Sequence, residues 1–297
     1  MTEKPPILTV FTPTYNRAYI LPQLYQSLIK QTNPDFIWLI IDDGSSDDTK
    51  TLIKKWQNEA KINIKYIYQE NQGMHGAHNT AYKNIDTELN VCIDSDDYMP
   101  DDAVATILDF WQQNKSNKVA GIVGLDIDKT GKVIGTKMPA NIKTATLSDL
   151  YHKYGVKGDK KLVLRTKVVK KYPAYPLFEG ERFVPLGHLY SLIDQDYELL
   201  ILNKALCVVE YMADGSTMNI FKQYRKNPKG FAFTRLHKMK NPYNTKDLIK
   251  NTIHYISHSL FSKNWQFIKQ SPRKFLTIVL IPFGIILYFY TIYKTRK

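Results

Sequence analysis

The chain has 297 residues, 43% of them apolar and 23% charged. That is room for one large domain or two ordinary ones, and it excludes wholesale disorder, collagen-like repeats and coiled coils. The net charge of +13 is unevenly placed: residues 218–297 hold sixteen Lys and Arg against one acid, Asp247, while the remainder carries 25 bases and 27 acids. A near-neutral body therefore precedes a strongly basic tail, which seeks phosphate-bearing surfaces.

Residues 1–6 are polar and the first apolar run is too short for a signal-peptide core, so no leader is expected. Ile7–Thr12 predicts a strand, and Tyr19–Lys30 a helix with apolar residues at 20, 21, 24, 25, 28 and 29. Phe36–Ile41 is a fully apolar strand, followed by a helix over Asp47–Glu59 with a Ser-Ser-Asp-Asp capping start. Ile62–Tyr68 alternates as a third strand, His75–Asn84 is helical, Leu89–Ile93 is a fourth strand and Asp101–Asn114 a helix. Val119–Leu125 is a fifth strand before a hairpin turn at 129–132. This alternation means an α/β domain with a largely parallel central sheet flanked by helices, and ligands in such sheets bind beyond the carboxyl ends of the strands.

From 147 to 217 the pattern is mixed, with short helices and strands over 161–166 and 205–211. From 218 it is helical and basic. Three segments are expected: 1–126 and 127–217 as two halves of one α/β domain, and 218–297 as a tail. Phe275–Tyr293 is uncharged, contains Pro282 and Gly284, and is flanked by Arg273, Lys274, Lys294, Arg296 and Lys297. As one helix it would reach ~28 Å, close to the ~30 Å hydrocarbon core of a bilayer. It reads as a membrane span, as an interfacial or re-entrant helix bent at Pro282, or as a buried terminal helix. Cys92 and Cys207 lie in apolar runs and read as buried thiols of a reducing compartment.

Chemistry gathers at three strand ends. The first closes on Thr12-Pro13-Thr14-Tyr15-Asn16-Arg17, the second on Asp42-Asp43-Gly44-Ser45-Ser46-Asp47-Asp48, the fourth on Asp94-Ser95-Asp96-Asp97. Clustered carboxylates need a cation or hydrogen-bond donors to stay ionised. An extended Asp-x-Asp puts both side chains on one pleat face, a pair suited to Mn²⁺ or Mg²⁺ sharing its shell with a substrate diphosphate. Taken alone, each acid run could equally be a turn with a helix cap or a solvated strand end.

Together with Glu-Asn-Gln-Gly-Met-His-Gly-Ala-His-Asn at 70–79, these runs resemble glycosyltransferase family 2 over residues 7–126, and more weakly to about 217. The resemblance implies a GT-A fold and an inverting transfer from a nucleotide-diphosphate sugar. It implies that Thr12, Pro13 and Tyr15 line the nucleotide pocket and that Asp42 accepts from a uracil ring, hence a UDP-sugar. Asn71 and His78 would lie beside base and ribose, and Asp94 and Asp96 would form the metal-binding DXD pair, with Asp97 supporting the loop. Met74 and His78 stand where the family often has a base. The general base would come from Phe178-Glu179-Gly180-Glu181-Arg182-Phe183, Glu181 first and Glu179 second, with Arg182 in the place of the family's Asp.

Glu210-Tyr211 and Asp214-Gly215-Ser216-Thr217 resemble the family segment that closes over donor or acceptor. Asp194 and Asp196 read as structural. His254 and His258 lack the Glu and third ligand of a zinc site. The tail then fits tethering to an anionic membrane, with the enzyme at the cytoplasmic face of the cell membrane and a lipid-linked glycan acceptor of envelope or capsular type. With no G-x-G-x-x-G after the first strand and no P-loop, the sequence argues against a sugar-nucleotide or NAD-dependent enzyme on a similar sheet, and the base excess beside an apolar nineteen-mer argues against a nucleic-acid partner. A non-catalytic membrane-tethered partner subunit with the same fold is the alternative reading.

Overall fold

The computed structural model of the chain describes residues 6–210 and 219–296. The segment Tyr211–Thr217, expected to close over a ligand, lies outside the described residues. Two compact units are present, one from residues 6–72, 76–174 and 189–210, the other from 73–75, 175–188 and 219–296.

In chain order the elements are β1 (Leu8–Thr14), α1 (Leu21–Ile29), β2 (Phe36–Asp42), α2 (Thr49–Glu59), β3 (Asn63–Tyr68), α3 (Met74–Asn84), β4 (Leu89–Cys92), α4 (Ala103–Asn114) and β5 (Val119–Ile127). Then follow β6 (Thr144–Ala145), α5 (Leu147–His152), β7 (Lys160–Arg165), α6 (Thr166–Val169), α7 (Gly187–Ile193) and β8 (Glu198–Val208). The second unit adds α8 (Ile220–Lys226), α9 (Pro228–Lys240), α10 (Thr245–Phe261), α11 (Phe267–Gln270), α12 (Lys274–Val279) and α13 (Ile281–Lys294). All nine elements expected before residue 126 form, within a few residues of their expected ends.

The sheet runs β3-β2-β1-β4-β7-β5-β8-β6. β1 is parallel to β2 and β4, β2 to β3, and β5 to β8. β7 is antiparallel to both β4 and β5, because it is reached from β5 through short elements and not through a long crossover helix. The core of this unit stacks Tyr25 on Trp56 (4.3 Å between ring centroids) and Trp56 on Trp38 (5.7 Å). Tyr25 donates to Glu59, so the packed aromatic layer keeps its polar atom satisfied.

The second unit packs α9, α10 and the last helices around Met239, Tyr255, Ile256 and Leu280. Gly284 lets α13 approach α10 closely, since a Cβ there would lie 2.4 Å from Ile256 Cγ2. The apolar nineteen-mer is not one helix. It breaks at Leu280, where Pro282 starts a new helix whose first-turn N–H needs no partner. Among the described residues no helix is long and apolar enough to cross a membrane. The span reading is therefore replaced by two short helices, on which Phe275, Ile278, Phe283, Ile286, Phe289 and Tyr293 stay exposed.

Five histidines in this unit are shifted down from the ordinary imidazole value. Burial pushes His75 and His188 down to about 4 and His254 to about 3, and depresses His237 and the fully buried His258. Nearby cations add to this, Arg182 for His75 and Arg235 for His254 and His258. Below the ordinary value of 6.5 the unfolded chain takes up protons that the folded one refuses, so each buried His removes up to ~1.4 kcal/mol of stability per pH unit. The melting temperature is expected to fall steadily from pH 7 to 5. Neither ring nitrogen of His258 has a hydrogen-bond partner among the described residues. His258→Leu should therefore be tolerated at pH 7.5 and flatten that decline in a thermal titration, whereas an unchanged pH slope would remove His258 as a cause.

Candidate active site

The carboxyl edge of β1, β2 and β4 carries loops that hold one another. Asn16, with φ +53, accepts from Ser46 N (2.8 Å) through its side chain and donates its own N–H to Ser45 Oγ (2.9 Å). Asp47 Oδ2 accepts from Ala18 N at 2.9 Å and its other oxygen caps Thr49, tying the loop after β1 to the start of α2. Asp47 is partly desolvated, yet these hydrogen bonds hold its carboxyl below the usual range. Gly44 sits at φ +88, and a Cβ there would meet Asn71 N at 2.9 Å, so only glycine lets the loop after β2 lie against residues 69–72. Asp43 Oδ1 clamps that segment, accepting from Gln69 Nε2 (2.7 Å) and Gln72 N (2.8 Å).

Several residues expected to touch a nucleotide face inward instead. Thr12 is fully buried and accepts from Trp38 Nε1 at 3.0 Å. Asp42 is fully buried, with Oδ1 accepting from Ser45 N (2.8 Å) and Oδ2 from Tyr66 OH (2.7 Å). In this conformation Asp42 braces the loop after β2 through both oxygens. His78 is buried on α3 against Phe11, with Nδ1 3.3 Å from Tyr82 OH and Nε2 3.6 Å from Cys92 Sγ. Pro13 and Asn71 are half-buried and Tyr15 is exposed, so these three retain surface at the sheet edge.

The acids after β4 differ from the extended pair expected. The strand ends at Cys92, and Asp97 N donates to Asp94 O at 3.0 Å, so Asp94–Asp97 is a turn and pleat geometry does not apply to it. Asp94 and Asp96 are half-buried and Asp97 is buried. Lys161 on β7 is lodged between Asp97 and Asp126, its Nζ 3.9 Å from each. Burial pushes Asp97 up to about 7, against the pull of Lys161 and with the repulsion of Asp94 and Asp96. Among the described residues no group of three or more His, Cys, Asp or Glu could enclose a metal ion. The half-buried pair Asp94 and Asp96 fits a hard divalent cation that completes its shell with water and phosphate.

In the second unit Glu181 is buried, with Oε1 accepting from Lys229 N and Oε2 from Gly230 N, both at 2.9 Å. Burial raises its carboxyl above the ordinary value, and the two N–H groups oppose that shift. It caps the first turn of α9. Of the two acids expected as the general base, Glu181 is thus engaged in this cap and Glu179 is exposed. A cavity of 490 Å³ in this unit is lined by Met74, Gly180, Arg182, Phe183, Lys226 and Asn227, with Gln223 beside them. Asp194, read as structural, accepts from Leu147 N and Ser148 N and holds the start of α5.

The sequence profile described as Glycosyl transferase family 2 matches residues 9–172. The chain belongs to glycosyltransferase family 2. The chain is 32% identical over 137 residues to an uncharacterized glycosyltransferase of Nostoc sp., covering 44% of this chain and 42% of that one. It is 30% identical over 130 residues to chondroitin synthase of Escherichia coli, covering 43% and 19%. To the poly(ribitol-phosphate) beta-N-acetylglucosaminyltransferase TarS of Staphylococcus aureus it is 26% identical over 161 residues, covering 48% and 28%. The chain thus spans less than half the length of each of these relatives.

Among solved structures, TarS residues 1–349 in complex with UDP-GlcNAc superposes with a TM-score of 0.64 at 18% identity, covering 96% of this chain and 88% of that one. The Pyrobaculum calidifontis mannosyltransferase solved with GDP-Man and Mn²⁺ gives 0.57 at 14% identity, covering 99% and 89%. These likenesses establish the GT-A-like fold of the transferase.

Glu181→Gln sets an amide against one of the two N–H groups of α9. The second unit is expected to lose about 1–2 kcal/mol, seen as a lower urea midpoint; an unchanged midpoint would contradict the capping role.

Proposed function

We propose that the transferase moves a sugar, with inversion, from a UDP-sugar to a hydroxyl of a lipid-linked glycan in cell-envelope or capsular polysaccharide synthesis. The observation that carries this reading is the acidic turn Asp94–Asp97 at the carboxyl end of β4 in a family 2 sheet. Solved structures of the same fold bind UDP-GlcNAc and UDP, which supports the choice of donor.

Pro13, Tyr15 and Asn71 would contact the nucleotide, with Asp42 and Asp43 holding the loops that carry them. Asp94 and Asp96 would hold Mn²⁺ or Mg²⁺. That cation, when bound, supplies charge neutralisation for the departing diphosphate. Glu179 would take the proton of the acceptor hydroxyl, and Glu181 would fix the turn that carries it, closed by Glu181 N donating to Phe178 O at 3.0 Å. The cavity lined by Arg182 and Lys226 would receive the acceptor glycan.

The exposed apolar residues of α12 and α13, bordered by Arg273, Lys274, Lys294 and Arg296, support a helix pair lying in the interface of an anionic membrane at its cytoplasmic face.

Thermal unfolding with Mn²⁺ plus UDP, GDP or ADP tests the donor. UDP with metal is expected to raise the melting temperature, since a ligand at one hundred times its dissociation constant adds ~2.7 kcal/mol. Asp96→Asn should abolish that shift and turnover alike while keeping the unliganded melt, and Glu179→Gln should cost ~10²–10⁴-fold in turnover alone. No shift with any nucleotide would favour a non-catalytic partner subunit. For the membrane, Phe283→Ser with Phe289→Ser removes about 2 kcal/mol of burial per side chain and should abolish cosedimentation with phosphatidylglycerol vesicles. Retained cosedimentation would overturn the role of these residues.

A further inference from the structure

β7 opens with two consecutive lysines that meet different environments. Lys160 Nζ donates to the carbonyls of Ile134, Lys157, Gly158 and Asp159 at 2.8–3.3 Å, so it stitches a turn. Lys161, one residue on and therefore on the other face of the strand, has an inward ammonium 3.9 Å from Asp97 Oδ2 and 3.9 Å from Asp126 Oδ1. The Lys161 side chain is 13% exposed, that of Asp97 7% and that of Asp126 3%. Asp126 Oδ1 has no hydrogen-bond partner among the described residues, so Lys161 compensates that oxygen by charge alone.

Asp97 is also the clasp of the acidic turn. Its backbone N–H closes the turn on Asp94, Oδ1 accepts from Glu210 N at 3.2 Å, and Oδ2 lies 3.6 Å from Cys207 Sγ. The next residue, Tyr98, exchanges two backbone hydrogen bonds with Val208 at the end of β8 (3.1 and 2.7 Å). The exit of the turn is thereby fastened to β8 and, through Lys161, to β7.

We propose that Lys161 is a positioning residue, whose ammonium between Asp97 and Asp126 locks the Asp94–Asp97 turn in the conformation that presents Asp94 and Asp96 to a divalent cation. This inference rests on the metal role proposed above for Asp94 and Asp96. Without the ammonium, the carboxyls of Asp97 and Asp126 lose their shared counter-charge and must take up a proton or turn toward water, and either change removes the tie between the turn and β7.

The test is Mn²⁺ binding in the presence of UDP, measured by calorimetry on the full chain. Lys161→Met combined with Asp126→Asn removes the cation together with one stranded anion, which keeps the interior near neutral. It is expected to weaken Mn²⁺ binding tenfold or more at an unchanged circular dichroism spectrum, and Lys161→Arg to stay within threefold of wild type. Mn²⁺ affinity equal to or tighter than wild type in the double variant overturns the proposal. Should the double variant not fold, Asp97→Asn with Lys161 intact must show the same loss, and wild-type affinity there overturns it equally. If the unaltered chain binds no Mn²⁺ with UDP, the metal role of Asp94 and Asp96 falls, and the proposal with it.

Discussion

The first unit depends on β1 being paired in parallel on both edges, by β2 and by β4. A strand in that position has its backbone fully hydrogen-bonded and both faces buried, so Leu8 to Thr12 can carry little that is functional. The charged residues are displaced to where the strands run out. There the backbone has lost its sheet partners and must find others. The loops after β1 and β2 supply them to each other, through Asn16, Ser45 and Asp47, and Asp43 extends the same bracing to residues 69–72. The edge that would meet a nucleotide is thus stiff without being part of any regular element.

The molecule compensates buried carboxylates in two ways. Glu181 is met by two backbone N–H groups at the start of α9, a directional and uncharged solution that spends both oxygens. Asp97 and Asp126 are met by one ammonium 3.9 Å from each, a solution in charge that is geometrically looser and leaves acidity in surplus. Asp94 and Asp96 remain half-buried beside that surplus. A helix start can finish an acid's electrostatics, whereas one lysine beside four acids leaves part of their charge to solvent and neighbours.

Hydrophobic periodicity made the strands and helices of the first 126 residues legible, and the family's acid runs marked the sheet edge. Neither could show which way each side chain points. Thr12, Asp42 and His78 have the expected residue types at the expected spacing. Each is turned inward by a partner far off in sequence: Trp38, Tyr66, and the pair Phe11 and Cys92. Asp94-x-Asp96 read as an extended pair because Leu89–Ile93 is apolar, but the turn closed by Asp97 is a local hydrogen bond that apolar patterning does not encode. Lys161 was invisible for a simpler reason. As one of two lysines at a strand start it looks like a solvated edge, and only the antiparallel placement of β7 between β4 and β5 brings it inside. In the tail, Pro282 was visible as a bend, yet composition alone could not decide between a spanning helix and a broken one.

The position of β7 also bears on how this chain reaches its native state. β4 and β5 follow one another in sequence, but the strand between them comes more than thirty residues later, so this part of the sheet rests on pairings of long sequence separation, which form slowly. Hydrophobicity alone would fix the register of β7 poorly, since Leu162, Val163 and Leu164 are all aliphatic. The two lysines make the difference. A slip of one residue would turn Lys161 out of its carboxylate pair and drive Lys160 from its four carbonyl ligands, leaving unpaired charge in the interior at once. The register of β7 is thus tied to its two lysines as well as to its apolar residues, since Lys160 and Lys161 each meet partners that only this alignment supplies.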